Sequence, residues 1–170
     1  WEEKRLGEVV EVIMGQSPDS AYYNEDGIGE VLIQGNADIK NRKTIKRLWT
    51  TQITKRCLFN DLILTVRAPV GSIAKAAFSA CVGRVCAIRP KSKASVNFLF
   101  QTLINLEPSW RRLEQGSTFT SVNSTDINNF KIEFPHIEEQ HQIADFLSSI
   151  DDKIALLTKQ IQSTEQYKKG

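Results

Sequence analysis

Two groups of side chains in this sequence are of the types that read hydrogen-bonding edges and neutralise phosphates. Gln34, Asn36, Lys40, Asn41, Arg42, Lys43, Lys46 and Arg47 crowd the end of one short apolar run, Val31-Leu32-Ile33, and the polar stretch after it. Arg, Gln and Asn offer paired groups that match guanine or adenine edges, and Lys and Arg neutralise phosphates. Arg67 follows a second apolar run just before Pro69-Val70-Gly71, and Lys75 lies beyond that turn. Ser117, Thr118, Thr120 and Ser121 form a hydroxyl-rich stretch suited to phosphates or bases. The binding set read from residue type and position is Gln34, Asn36, Lys40, Arg42, Lys43, Lys46, Arg47, Arg67, Lys75, Thr118 and Thr120. Taken singly, each is more often a solvated surface group; the grouping is the signal. Trp49, Tyr22 and Tyr23 can stack on bases, although packing roles suit them at least as well.

Charge supports the same chemistry. Between Ile39 and Leu106 there are thirteen Lys and Arg against one acidic residue, Asp61, in a chain whose net charge is only +2. A basic block of domain size favours a polyanion such as double-stranded DNA, the competing reading being a solvated basic face without a partner. Catalytic signals are missing from the sequence. There is no G-x-G-x-x-G after a strand, no P-loop and no G-x-S-x-G. His141 and Asp145 stand one helical turn apart, which suits a solvated contact better than a metal pair. Asp151-Asp152-Lys153 are helix neighbours that cannot converge on one ion. Cys57, Cys81 and Cys86 include no C-x-x-C pair, and with two histidines elsewhere they read as buried free thiols in a reducing compartment. The chain itself is expected to be a non-enzyme holding no metal and no cofactor.

The elements that must position these residues follow from pattern. Leu6, Val9, Val10 and Ile13 have helical spacing, predicting a helix over Leu6–Met14 closed by Gly15, then a loop over Gly15–Gly29. Strands are predicted at Val31–Ile33, Leu62–Val66, Ser72–Ala77, Gly83–Ile88 and Lys131–Phe134. Ser95 caps a helix with Val96, Leu99, Phe100, Leu103 and Ile104 on one face. A second helix is predicted over Pro108–Gln115, and Ser124-Thr125-Asp126 cap a further helical turn. The 41% hydrophobic and 25% charged residues are those of an ordinary globular domain. No apolar run is long enough to span a bilayer and no signal-peptide pattern is present, so no membrane role and a cytoplasmic location are expected.

The C-terminal stretch has its own pattern. Ile143, Leu147, Ile150, Ile154, Leu157 and Ile161 alternate steps of four and three, a heptad seam that pairs one helix with another. No Gly or Pro interrupts the chain between Pro135 and Gly170. One long helix is predicted, with Glu138 and Glu139 suiting its N-terminal dipole. Its stripe is too narrow to fold back on a small domain, so it reads as a spacer or docking arm. The fold class is α+β: a small domain over residues 1–135, with a twisted β-sheet and short helices, followed by a coiled-coil spacer or dimerisation helix over 136–170. The chain begins at Trp1 without Met and stops in mid-pattern, as a segment of something longer would.

Several blocks together carry a resemblance. They are Lys4-Arg5-Leu6-Gly7-Glu8-Val9, Gly15-Gln16-Ser17-Pro18, Ile33 to Ile39, Val66-Arg67-Ala68-Pro69-Val70-Gly71, Gly116-Ser117-Thr118-Phe119, and Phe134-Pro135 with Glu138-Glu139-Gln140 and Gln142-Ile143-Ala144. In this order they make the chain resemble one half of a specificity subunit of a Type I restriction-modification system. The resemblance implies a recognition domain reading half of a bipartite site in the major groove, followed by one of two spacer helices that pair antiparallel. It implies partner subunits for modification and restriction, which would carry S-adenosylmethionine, ATP and Mg. It also implies either a homodimer through the C-terminal helix or pairing with a second half of the same subunit. Base-contacting residues do not carry over, because recognition loops differ between members. Two other readings stand beside it: a coiled-coil protein-interaction adaptor without specific DNA binding, and the recognition domain of a stand-alone methylating restriction enzyme.

Overall fold

The computed structural model of the chain describes residues 1–67, 69–110 and 122–169. Its strands are β1 (Glu2–Arg5), β2 (Val10–Met14), β3 (Tyr23–Asn24), β4 (Glu30–Ile33), β5 (Ile39–Lys40), β6 (Lys43–Thr44), β7 (Trp49–Thr50), β8 (Arg56–Cys57), β9 (Leu62–Thr65), β10 (Ile73–Lys75), β11 (Ala80–Val82), β12 (Val85–Pro90) and β13 (Lys131–Phe134). Its helices are α1 (Leu6–Val9), α2 (Val96–Asn105), α3 (Ser124–Asn129) and α4 (Ile137–Lys169).

One six-stranded sheet runs β2-β12-β9-β10-β6-β5, one five-stranded sheet runs β3-β7-β4-β11-β8, and β1 pairs with β13. The six-stranded sheet is buried on both faces, which is why β9 and β12 read as continuous apolar runs rather than alternating ones. Leu62, Leu64, Ile73 and Ile88 face Phe98, Leu99 and Leu103 of α2 in one core. Ile63, Ala74, Val85 and Ala87 face Val31, Ile33, Cys57 and Val82 of the other sheet in a second. The α+β architecture therefore has three layers, helix on sheet on sheet, with the long helix following.

Most predicted elements are present, and three differ. The helix expected over Leu6–Met14 is only the single turn α1, and the chain continues as β2. Val10 to Met14 pairs antiparallel with β12 over five residues. Val10, Val12 and Met14 join the first core while Ile13 joins the second. Leu6, Val9, Val10 and Ile13 fit the helical period, but Val10, Val12 and Met14 also alternate, and a buried partner strand decides for the period of two. The loop over Gly15–Gly29 includes a single 3-10 turn, Ser20–Tyr22, and β3. The cap of α3 is Asn123 rather than Ser124: Asn123 Oδ1 accepts from Asp126 N (3.0 Å) and Asp126 Oδ2 accepts from Asn123 N (3.1 Å), a reciprocal pair of the capping-box kind. Of the helix expected over Pro108–Gln115, residues 107–110 are helical, and the rest lies outside the described residues.

The C-terminal helix also corrects an expectation, because its first turns do fold back on the domain. Ala144 is buried in the first core with Ile143 packed beside it. Gln140 is buried, its Nε2 donating to Pro135 O (2.8 Å) and its Oε1 accepting from Ser95 N (2.8 Å). Gln101 Nε2 donates to Asp151 Oδ2 at 2.8 Å. Past that contact the seam faces solvent: Ile154, Leu157 and Ile161 are 57%, 57% and 59% exposed. Among the described residues, no helix is long and apolar enough to cross a membrane.

Candidate nucleic-acid interface

Strand register gathers several loops at one end of the molecule. Met14, Cys86, Leu64 and Ile73 form one row across β2, β12, β9 and β10. Met14 ends β2, Leu64 lies near the end of β9, and Ile73 begins β10, so the loops after Met14, after Thr65 and before Ile73 emerge together. In the other sheet Val82 lies beside Ile33, and Gly83-Arg84 connects β11 to β12, joining the two sheets at this same end. The loop that follows Ile33, carrying Gln34 and Asn36, therefore belongs to the cluster. The junction is clamped by backbone hydrogen bonds: Gly15 N to Val85 O (2.9 Å), Gln16 N to Val82 O (2.9 Å) and Gly83 N to Ile33 O (2.8 Å). Position 15 accepts only glycine, because a Cβ there would sit 2.6 Å from Val85 O. Gly71 is held in the left-handed region (φ 94°), and a Cβ there would approach Trp110 Cβ to 2.6 Å.

Gln34, Asn36 and Arg47 are brought together by Asp38. The buried Asp38 carboxylate accepts from Gln34 N (2.7 Å) and Gly35 N (3.1 Å) through Oδ2, and from Arg47 Nε (2.8 Å) through Oδ1. This folds the stretch after β4 into the single 3-10 turn Asn36–Asp38. Gln34 is also held at its side chain, donating to Tyr23 OH (2.5 Å) and accepting from Ser17 Oγ (3.2 Å). Asn36 is exposed. Lys46 is exposed and lies over the ring of Phe78, 5.5 Å from its centroid.

Lys40 and Lys43 face each other across the β5–β6 hairpin. Its two tip residues, Asn41 and Arg42, have φ of 50° and 61°, the signature of a type I′ turn. Arg42 in that conformation costs roughly 1–2 kcal/mol. Its guanidinium is held by the Glu107 carboxylate (Nη2 to Oε2, 3.3 Å) and by Ile73 O (3.2 Å), while Glu107 also accepts from Ile73 N (3.0 Å). Glu107 thus ties the hairpin tip to β10. Lys40 and Lys43 are exposed.

Lys75 is set apart from this cluster. It lies in register with Lys43, donates to Asn97 Oδ1 (2.7 Å) and covers the Phe100 ring at 4.5 Å. Burial against α2, with Lys43 beside it, lowers its pKa. Thr118 and Thr120, with Ser117 and Ser121, lie outside the described residues.

Arg67 is exposed at the clustered end, on the lip of a cleft of about 650 Å³. Arg84 stands on the same cleft and was not among the sequence-derived candidates. Its signal is Gly83-Arg84 between two apolar runs, a turn by composition. Asp38 and Glu107 were also missed, although they position candidates, because their partners are set by tertiary contact.

The cysteines offer no nucleophile. All three are buried, and burial pushes the Cys57 thiol up to about 11 and the Cys86 thiol to about 12. A thiolate is the reactive form, so neither is poised for chemistry near neutral pH.

Comparison with known proteins identifies the family. Residues 1–166 match the family model of the Type I restriction modification DNA specificity domain. The chain is 36% identical to a putative type I restriction enzyme MjaX specificity subunit of Methanocaldococcus jannaschii, covering 99% of this chain and 41% of that protein. It is 26% identical to the MjaVIII specificity subunit of the same organism, over 100% of this chain and 40% of that one. Among solved structures it superposes on the HsdS subunit from Thermoanaerobacter tengcongensis with a TM-score of 0.83 at 35% identity, covering 94% of this chain and 39% of that one. A chain from a structure describing assembly and conformational transition of the type I R-M system gives 0.88 at 36% identity, over 97% and 42%. The chain spans about two fifths of the length of these relatives. On the match across nearly its whole length, the chain belongs to the Type I restriction modification DNA specificity domain family.

Proposed function

We propose that this chain recognises double-stranded DNA in a sequence-specific way, as one half of a Type I specificity subunit. Residues 1–135 read one half of a bipartite site, and the helix after them acts as spacer. The observation that carries this reading is the grouping of Gln34, Asn36, Arg47, Arg67 and the Lys40–Lys43 hairpin around joined sheet ends, in a chain of a specificity-domain family. The modification and restriction subunits dock on it, and methyl transfer with S-adenosylmethionine and ATP- and Mg-dependent steps belong to those partners. The exposed part of the seam, Ile150, Ile154, Leu157 and Ile161, supports helix pairing with a second copy or with a second half of the same subunit.

The test is selection from random duplex DNA at fixed, near-physiological salt, with the chain purified alongside its modification subunit. Enrichment of one short motif supports recognition, and two inverted copies at fixed spacing support a self-paired helix. Absence of enrichment from a well-formed complex would replace this reading with the adaptor.

A further inference from the structure

We infer that the cleft flanked by Arg67 and Arg84 grips the DNA backbone at a phosphodiester, and so positions the duplex without reading its bases. The inference rests on the DNA-binding reading above and adds a binding site and a ligand group to it. Three observations converge on it.

The first is charge. Both arginines are exposed, and neither makes an ion pair with a described residue. Among the described residues lining the cleft there is no carboxylate; its other polar side chains are Ser17, Asn123 and Ser124. Two guanidinium forks without a counter-ion among the described residues, beside neutral donors, suit a phosphate, which accepts two parallel N–H bonds from each fork.

The second is shape. A duplex presents its phosphates as ridges and its base edges at the floor of grooves. A concave protein surface therefore receives the backbone, whereas a base-reading element must project. The Arg67–Arg84 cleft has the receiving form.

The third is rigidity. Arg84 follows Gly83, whose N–H is bonded to Ile33 O, and precedes Val85, whose carbonyl is bonded by Gly15 N–H. Arg67 follows Val66, whose carbonyl accepts from Val122 N at 3.1 Å. Both side chains start from anchored backbone at the point where the two sheets join. A contact that sets the register of the duplex needs such a base, because its geometry is worth no more than that of its support.

The test is to titrate the whole chain, wild type and the double variant Arg67→Ala/Arg84→Ala, with several short duplexes of unrelated sequence across a range of salt. The expected result is a loss of affinity of about tenfold or more, equal for every duplex, with a salt slope shallower by about one per arginine removed. Arg67→Lys/Arg84→Lys keeps both charges and should keep the wild-type slope. Unchanged affinity and slope in the alanine variant would overturn the inference. A changed sequence preference at constant slope would also overturn it, by making these arginines base readers. A lysine variant that melts with the wild type yet loses slope would do the same. A wild-type chain that binds no duplex overturns the DNA-binding reading as well, which separates the two failures.

Discussion

Eight of the thirteen cations of the basic stretch fall into two sets that the sequence does not distinguish. Arg42, Arg47, Arg56 and Arg89 each donate to a carboxylate: Glu107, Asp38, Glu30 and Asp61 respectively. Lys40, Lys43, Arg67 and Arg84 are exposed and make no ion pair with a described residue. Three of the four carboxylates lie outside the stretch from Ile39 to Leu106, and Asp38 and Glu107 are the residues on its two borders. Counting charge along the chain therefore overstates what is available to a polyanion. The first set builds the platform, and the second keeps charge that no described carboxylate neutralises.

Breaking this comparison at its strongest point means removing a cation that neutralises a buried acid. Arg89 binds Asp61 through two bonds, Nε to Oδ1 (3.1 Å) and Nη2 to Oδ2 (2.9 Å), and the Asp61 side chain is only 5% exposed. Arg89→Ala should cost about 3–5 kcal/mol of folding stability, measured by urea denaturation, because it leaves the buried Asp61 charge uncompensated with only Leu58 N (2.8 Å) still bonded to it. A loss of less than about 1 kcal/mol would mean that the pair is not structural. Glu107→Gln keeps the shape of its side chain but removes the charge shared by Arg42 and Ile73 N. It is expected to lower stability by about 1–3 kcal/mol, and faster amide exchange in the β5–β6 hairpin would locate the damage.

Arg47 sharpens the division, since it is held at Nε while its guanidinium stays half exposed. Arg47→Ala should lower stability by about 1–3 kcal/mol, less than Arg89→Ala, because Gln34 N and Gly35 N keep two bonds to Asp38 Oδ2 while Oδ1 loses its partner. If Arg47 also reads a base, the same variant relaxes site preference by about 1–3 kcal/mol in a binding assay, and unchanged preference removes it from the reading set. Lys43→Ala should have the smallest effect on the fold, within about 0.5 kcal/mol. Its expected signature is a salt slope of DNA binding shallower by about one. A melting shift without a slope change would move Lys43 into the structural set.

Much of the fold was legible because its signals are local. β9 and β12 announce themselves as apolar, β-branched runs, α2 by its periodic face and Ser95, and α4 by an unbroken heptad pattern. β2 was not legible as a strand, because its spacing fits two periods and only the five-residue pairing with β12 selects one. The heptad seam shows the same limit. Ile143 and Leu157 occupy equivalent heptad positions two repeats apart, yet Ile143 packs on the domain core while Leu157 is 57% exposed. Periodicity defines a stripe on a helix but not what covers it. Of the sequence-derived candidates, the structure groups Gln34, Asn36, Arg47, Arg67 and the hairpin lysines near the joined sheet ends and turns Lys75 to Asn97 and Phe100, a placement that residue type does not carry.

By itself the sequence determined the α+β class, the long C-terminal helix, the lack of recognisable catalytic motifs and, through its ordered blocks, the family. Each of these rests on order and spacing within short windows, which the chain carries before it folds. Only the tertiary structure decided which cations face solvent, that Arg84 shares a cleft with Arg67, and where α4 leaves the domain. Those outcomes depend on contacts between residues far apart in sequence, such as Arg42 and Glu107, 65 positions distant. A carboxylate selects its cation by proximity in the packed domain, and neither partner's local sequence encodes that distance.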